Sequence, residues 1–249
     1  MDIYFILVRP AVPGNIGASA RALNTMGFRN LWLVRPSDHL SIEARTFAHG
    51  SVHLLEDARI FNSLKEALAG IDFVIGTSAR KKTAHFDYHP AADIIEIIRN
   101  KRNSVRTIAV VFGPEDKGLS GNEMKQCDII AYIPMAASYP SLNLSHVVML
   151  FSYLLNPLAG SSPKKKARTL TNPASYNALR EKVTRLLIST GLGPDTIIYT
   201  RIMERLALLD NDDLNLVHSF CNACLNTGGN SGKNINKDTG KSRLSLTDC

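Results

Sequence analysis

Several features are scarce in this sequence, and each scarcity argues against a class of protein. No run of about 18 apolar residues occurs, so we expect no membrane-spanning helix. The first ten residues hold only a short apolar stretch after an acidic second residue, which argues against a signal peptide. Cysteine is also rare, and four scattered residues do not make the disulfide framework of a secreted protein of this size (Cys127, Cys221, Cys224 and Cys249). These absences predict a cytoplasmic protein without membrane association.

Positive charge is present in moderate excess and is concentrated in the last third of the chain. The net charge is +7; residues 160–249 carry 13 Lys and Arg against 8 Asp and Glu, whereas residues 1–159 carry 16 against 14. The densest basic run is "KKKAR" at residues 164–168. Clustered Lys and Arg fit contact with a phosphate backbone, but a solvated linker has the same composition. Charge therefore favours a nucleic-acid partner without deciding the question.

Short apolar runs alternate with helical patterns in the first part of the chain. The runs are nearly continuous in hydrophobicity, which is typical of strands covered on both faces (residues 3–8, 31–34, 72–76, 107–112 and 129–133). Helical patterns lie between and after them (residues 16–26, 41–48, 62–69, 90–99, 120–126 and 142–155). This alternation predicts an α/β domain with a parallel sheet over residues 1–156.

The remainder of the chain has a different composition. Residues 157–173 are rich in Pro, Gly, Ser and charge, as linkers are. Residues 174–226 contain three helical patterns that can share only a small core, which predicts an accessory module and not an independent enzyme. Residues 227–249 have few large apolar side chains, and we expect this tail to be disordered.

The stretch "GNIGASAR" at residues 14–21 follows the first predicted strand, where α/β proteins often bind a nucleotide. It lacks the third glycine of the dinucleotide fingerprint and the lysine of the phosphate loop, so no phosphate cradle is predicted. Gly14 and Gly17 can instead let another backbone approach, and Asn15 can cap the helix. Arg21 is either a solvated arginine or a functional one, and this stretch alone leaves both interpretations open.

Three further polar loops follow predicted strands, at residues 76–82, 113–120 and 133–143. They contain Glu115, Ser141 and Asn143, each of which could by itself be an ordinary turn or cap residue. Open α/β sheets bind their ligands at the carboxyl ends of the strands. We therefore expect these side chains to converge with Asn15 and Arg21.

Taken in order, three stretches resemble the motifs of the SpoU/TrmH branch of the SPOUT methyltransferases. They are "GNIGASAR" (14–21), "FGPEDKGLS" (112–120) and "PSLNLSHVVMLFSYLL" (140–155), and the resemblance covers about the first 156 residues. The beginning of the chain, together with "GTSAR" at residues 76–80, looks like the TrmJ group of tRNA (cytidine/uridine-2'-O-)-methyltransferases. The helical segment at residues 174–226 is similar to the C-terminal extension of that group.

The resemblance implies a parallel-sheet SPOUT fold with a trefoil knot in the C-terminal half of the domain, followed by a small helical extension. It also implies a homodimer that binds S-adenosyl-L-methionine among the knotted loops, mostly through backbone groups. Carried over by position, the cofactor-binding residues are nine (Thr77, Ser78, Ala79, Gly113, Ile133, Met135, Ser141, Leu142 and Asn143).

The same resemblance implies a catalytic set for transfer of the methyl group to a ribose 2'-hydroxyl (Arg21, Asn15, Glu115, Ser141 and Asn143). Because an arginine keeps its proton at neutral pH, we expect Arg21 to stabilise the developing alkoxide rather than to act as a general base. Asn15 and Asn143 would orient the hydroxyl, Ser141 would contact the cofactor or the hydroxyl, and Glu115 would fix the loops.

The implied substrate is tRNA, methylated in the anticodon loop. Ribosomal RNA is an alternative because the three motifs are shared across the branch, and a non-catalytic RNA-binding module is another. Phe86 and Tyr88 lie beside basic residues and could stack on an unpaired base or pack as a lid.

A possible metal motif lies in the last helical pattern, where His218, Cys221 and Cys224 follow one another at spacings of three. A structural zinc site requires four ligands, and only the distant Cys249 could complete this set. At helical spacing these residues can simply face the small core. We therefore predict no metal.

Overall fold

The computed structural model describes residues 1–79, 86–101, 104–136, 142–159 and 176–228. Ser141, most of the predicted linker and nearly all of the predicted tail lie outside the described residues. Within the described part of the chain, no helix is long and apolar enough to cross a membrane.

Seven strands of the described chain form one parallel sheet in the order β3-β2-β1-β6-β4-β7-β5. The strands are β1 (Asp2–Val8), β2 (Asn30–Val34), β3 (Arg59–Phe61), β4 (Phe73–Ser78), β5 (Tyr88–Pro90), β6 (Thr107–Phe112) and β7 (Ile129–Tyr132). The predicted parallel α/β sheet is thus confirmed. The sequence patterns missed β3 and β5, which are the two edge strands.

Helices connect the strands and continue beyond them. They are α1 (Pro13–Thr25), α2 (Ile42–Ala48), α3 (Val52–Glu56), α4 (Leu64–Ala67), α5 (Ile94–Asn100), α6 (Gly121–Met124), α7 (Leu144–Leu155), α8 (Tyr176–Ser189), α9 (Ile197–Leu208) and α10 (Asn211–Gly228). The patterns did not predict the short helix α3. The trefoil knot stays a prediction implied by the family resemblance.

Both faces of the sheet are buried, which explains why its central strands read as continuous apolar runs. In β1, Phe5 and Leu7 pack into one apolar cluster, whereas Ile6 and Val8 pack into a second cluster on the opposite face. Because successive side chains of a strand point to opposite faces, each face needs its own layer of helices. Helices α1, α5 and α7 cover the first face, and α4 and α6 contribute to the second.

The two glycines of the first motif lie inside a helix and not in a turn, because α1 begins at Pro13, earlier than predicted. A Cβ atom at Gly17 would lie 2.0 Å from the carbonyl oxygen of Ala44, so α2 packs directly on the backbone of α1. The prediction that Gly17 lets another backbone approach agrees with this packing. Asn15 does not cap α1, since the N-cap residue is Val12.

The three C-terminal helices pack on the same apolar core as the sheet. Tyr176 of α8 is fully buried, and its ring lies 5.6 Å from that of Phe73 in β4, in an edge-on arrangement. The Tyr176 hydroxyl donates to Asp128 Oδ1 (3.0 Å), and Arg180 Nη1 lies 3.1 Å from the same oxygen. Asp128 Oδ2 accepts from the amide of Val74 (2.7 Å), so this carboxylate joins β4 to α8. The domain boundaries themselves stay predictions.

Candidate active site

The predicted site residues come from the carboxyl ends of four strands that are adjacent in the sheet. Strands β1, β6, β4 and β7 lie side by side, and each is followed by one of the stretches singled out in the sequence. Parallel strands place their carboxyl ends at one edge of the sheet, where open α/β folds bind ligands. The sheet order thus brings together residues that are as many as 128 positions apart.

A cavity of about 290 Å³ lies at this edge. Its lining includes seven of the nine predicted cofactor-binding residues (Thr77, Ser78, Ala79, Gly113, Ile133, Met135 and Leu142). Asn143 lies beside the cavity at the start of α7 and does not line it. We call this space the strand-end cavity.

The patterns missed part of the lining of the strand-end cavity. Its apolar wall comes from β6 and α7 (Phe112, Leu144, Val147 and Phe151), and Lys117 adds a charge. Val147 and Phe151 belong to α7, which the sequence predicted as a helical pattern over residues 142–155. Their spacing of four residues could have indicated that one face of this helix reaches the loops.

Close backbone packing shapes the loop after β6. A Cβ atom at Gly113 would lie 2.2 Å from the amide nitrogen of Leu119, so this position has no room for a side chain. Gly118 adopts a φ of 63°, and its amide donates to the carbonyl of Pro114 (2.8 Å). These contacts fold residues 113–119 into a tight turn that forms one wall of the strand-end cavity.

Three of the five predicted catalytic residues form a continuous hydrogen-bonded chain. Asn15 Nδ2 donates to Glu115 Oε1 (2.9 Å), and Asn143 Nδ2 donates to Asn15 Oδ1 (2.8 Å). The Asn143 side chain also caps α7 by accepting from the amide of Ser145 (2.8 Å). Glu115, Asn15 and Asn143 therefore link the loop after β6, the first turn of α1 and the loop before α7, and we call them the loop triad.

Glu115 also supports the start of α1. Its carboxylate accepts from the amides of Ala11 (3.0 Å) and Val12 (3.3 Å). Partial burial alone would raise the pKa of Glu115, but the hydrogen bonds from Ala11, Asn15 and Val12 outweigh it and lower this pKa. A negative charge at the amino end of a helix is favourable. Glu115 thus holds the two residues before α1 and the side chain of Asn15 in its first turn, without capping the helix itself.

Arg21 is not part of the loop triad. It lies on an exposed face of α1, and its guanidinium has no hydrogen bond or ion pair to any of the described residues. One chain therefore brings together Asn15, Glu115 and Asn143 but leaves Arg21 apart, and Ser141 lies outside the described residues.

The predicted metal motif lies on α10. His218 and Cys221 are buried against the neighbouring helices, and Lys182 Nζ lies 3.3 Å from His218 Nδ1. Among the residues that the structure describes, no group of three His, Cys, Asp or Glu could hold a metal ion.

Comparison with known proteins gives two family matches. The SpoU rRNA Methylase family matches residues 2–153, and the C-terminal domain of the tRNA/rRNA methyltransferase LasT matches residues 173–227. The chain is 35% identical over 218 residues to an Escherichia coli protein named "Uncharacterized tRNA/rRNA methyltransferase LasT", covering 88% of this chain and 95% of that protein. It is 37% identical over 154 residues to the tRNA (cytidine/uridine-2'-O-)-methyltransferase TrmJ of Citrobacter koseri, covering 61% of this chain and 62% of that protein.

Among solved structures, the chain is similar to a probable methylase family protein from Haemophilus influenzae. The TM-score is 0.60 and the identity 28%, with 91% of this chain and 97% of the other covered. The predicted family and fold class are thereby confirmed.

Proposed function

This chain belongs to the SpoU rRNA methylase family of RNA methyltransferases, and from that premise we propose that it methylates the 2'-hydroxyl of a ribose in tRNA. The observation that carries the proposal is the loop triad, which stands beside the strand-end cavity at the carboxyl edge of the sheet. Each residue of the loop triad comes from one of the three motifs.

The strand-end cavity suits S-adenosyl-L-methionine by its lining. Its apolar wall of Phe112, Val147 and Phe151 fits an adenine ring, and the tight turn that begins at Gly113 forms the adjacent wall. The Thr77 hydroxyl donates to the carbonyl of Val111 (3.0 Å), so the Thr77 side chain joins β4 to β6. We assign contact with the ligand to the backbone of Thr77. When bound, this cofactor would supply an electrophilic methyl group to the ribose oxygen and would leave as S-adenosylhomocysteine, while the hydroxyl proton would pass to water or an RNA phosphate.

The loop triad fixes the side chains of the site in their positions. Glu115 is kept ionised by its hydrogen bonds, so it serves as an acceptor that anchors Asn15 and not as an acid. Asn15 accepts from Asn143, and each amide is thereby held in one orientation. Fixed dipoles at a reaction centre lower the barrier because they need not reorganise. We assign Asn15 and Asn143 to orienting the ribose hydroxyl, and Ser141 to contact with the cofactor or that hydroxyl.

Arg21 requires a second chain in this proposal. The Arg21 guanidinium is exposed on α1, away from its own loop triad. Helix α7 also presents Met149, Leu150 and Tyr153 to solvent, with Tyr153 64% exposed. Exposed apolar residues on one helix face are typical of a protein interface. We propose a homodimer through α7 in which Arg21 stabilises the developing alkoxide of the site in the other chain.

The choice of tRNA rests on relatives. The match to TrmJ covers the front of the chain, and the LasT match includes the C-terminal helices. We propose the anticodon loop as the target and the cytoplasm as the location. Ribosomal RNA is the second candidate, because the matching family is described by rRNA methylation.

Transfer of tritium from labelled S-adenosylmethionine to separate tRNA and ribosomal RNA pools tests these assignments. We expect label in tRNA, with alkaline hydrolysis leaving the labelled nucleotide linked to its 3' neighbour because its 2'-oxygen is blocked. Label in ribosomal RNA only would replace tRNA as the substrate. Absence of label in both pools would favour a non-catalytic RNA-binding module.

A further inference from the structure

A second and larger cavity, of about 910 Å³, lies on the other side of the loop after β6. It shares four residues with the strand-end cavity (Pro114, Asp116, Lys117 and Gly118), so that loop separates the two spaces. Its opposite wall is the beginning of α9 and the turn before it (Pro194, Asp195, Thr196, Ile197 and Thr200). We call this space the α9 groove.

The wall formed by α9 is fixed against the catalytic part of the chain. Arg201 and Arg205 of α9 both form ion pairs with Asp87, which lies just before β5. Glu204 accepts a hydrogen bond from the amide of Asp87 (2.7 Å). Beneath them, Asp128 holds α8 through Tyr176. The groove is therefore formed in the folded chain, and a ligand need not order its walls on binding.

The lining of the α9 groove combines cations with an aromatic ring. Lys117 and Lys125 have side chains that are 85% and 53% exposed. Their neighbours Asp116 and Asp195 lie 3.6 and 3.7 Å away, in exposed ion pairs that contribute little and that a phosphate can replace. Phe86 also lines the groove, with its ring partly buried against the apolar cluster on that face of the sheet.

Two further features of the groove suit a nucleotide. The amino end of α9, a helix of twelve residues, faces the groove and adds positive potential. Thr196 and Thr200 line the same wall, and their hydroxyl groups donate to carbonyl groups of Gly193 and Thr196. Phosphate binds to lysine and to helix amino ends, and an unpaired base stacks on phenylalanine. The volume lies within the range of ligand pockets, about 300–1,000 Å³, which is too small for a duplex.

We propose that the α9 groove binds an unpaired segment of the substrate RNA next to the nucleotide that is methylated. This inference rests on the proposed function, because it needs an RNA substrate whose target ribose reaches the strand-end cavity. It gives the C-terminal helices a definite role, since α9 supplies one wall of the RNA path. It also assigns Phe86 to base stacking.

Two pairs of charge-changing variants test the groove. Ile197→Glu places a carboxylate in its lining, and Ile188→Glu is the matched control because both isoleucines are similarly exposed, at 59% and 53%, and Ile188 does not line the groove. Lys125→Glu replaces a groove cation with a carboxylate, and its control is Lys65→Glu, at an exposed position of α4 that does not line the groove. Melting temperatures establish that all four variants fold.

The readout is the affinity for labelled tRNA at several salt concentrations, with S-adenosylmethionine affinity measured by calorimetry. We expect each groove variant to weaken tRNA binding about tenfold more than its control and to leave cofactor affinity unchanged. For Lys125→Glu the slope of log affinity against log salt concentration should become less steep by about 0.7, which corresponds to the loss of one single-strand phosphate contact.

Groove variants that bind tRNA as their controls do would overturn the inference, as would wild-type protein that binds no RNA. Wild-type protein that binds tRNA in the groove but transfers no methyl group would overturn the proposed function alone. The two failures are thus distinguishable.

Discussion

Replacing Lys101 with methionine should change how the stability of the protein depends on pH. Lys101 is only 1% exposed, and its Nζ donates to the carbonyl of Leu209 (3.2 Å). The Nζ lies 4.6 Å from the ring of Tyr176 and 5.2 Å from that of Phe73. Burial lowers the pKa of Lys101 to about 8, although Asp128 and a second aspartate act in the opposite direction.

The size of the effect follows from the two pKa values. Since one pKa unit corresponds to about 1.4 kcal/mol, a fall from the ordinary 10.5 to about 8 costs the folded state about 3 kcal/mol at neutral pH. Below pH 8 Lys101 is charged in both the folded and the unfolded chain, and the full cost is present. Between pH 8 and 10.5 the unfolded chain binds more protons, so stability rises with pH. Lys101 should therefore add about 2–3 kcal/mol to the free energy of unfolding between pH 7 and 10.

Urea unfolding followed by circular dichroism at pH 7, 8, 9 and 10 measures this contribution. Subtracting the curve of Lys101→Met from that of the wild type cancels every other titrating group. We expect the difference in the free energy of unfolding to grow by about 2–3 kcal/mol over this range. Near pH 7 the net change in the free energy of unfolding should be small, because two effects of the methionine oppose each other. It removes the buried charge, which stabilises the folded state, but it leaves the Leu209 carbonyl unpaired, which costs about 1–3 kcal/mol. Lys65→Met, at an exposed position, should give a flat difference. Parallel curves for Lys101→Met and wild type would refute the reasoning.

Three further predictions concern the site. Arg21→Ala should reduce methyl transfer at least about 100-fold because it removes the charge that stabilises the alkoxide, with cofactor affinity by calorimetry nearly unchanged; near-normal turnover would exclude Arg21 from catalysis. Gly113→Ala should abolish cofactor binding since its Cβ would lie 2.2 Å from a backbone nitrogen, whereas Gly121→Ala, with no atom within 4 Å of the added Cβ, should bind normally; equal affinities would contradict the tight turn. Asn143→Ala should lower the free energy of unfolding by about 1 kcal/mol through loss of the α7 cap, and an unchanged denaturation midpoint would show that the cap contributes nothing.

The sequence predicted the sheet well because its central strands are buried on both faces. Residues such as Phe5 and Ile6 must both be apolar, and the resulting run is readable without any tertiary information. The edge strands β3 and β5 contain three residues each, which is too few to show a pattern. Their pairing is fixed by neighbours that are distant in sequence.

Convergence of the site was predictable only in part. Parallel strands share one carboxyl edge, so the meeting of Asn15, Glu115 and Asn143 followed from their positions after strands. The hydrogen bonds between them did not follow, because Glu115 accepts from residues about a hundred positions earlier in the chain. No local pattern shows a hydrogen-bond partner that is so far away in sequence. For Arg21, the resemblance predicted a catalytic role, but within one chain Arg21 is not hydrogen-bonded to the loop triad.

The carboxylate of Asp128 makes the stability of the sheet depend on the C-terminal helices. It is buried between β4 and α8, and Tyr176 and Arg180 are two of its partners. A protease cut in the segment between residues 160 and 175, followed by loss of the helices, would leave this anion and the ring of Phe73 facing water. The sheet would then lack Arg180, one of the cations beside Asp128, and part of its apolar cover. The front of the chain should therefore be less stable alone than with the three C-terminal helices bound.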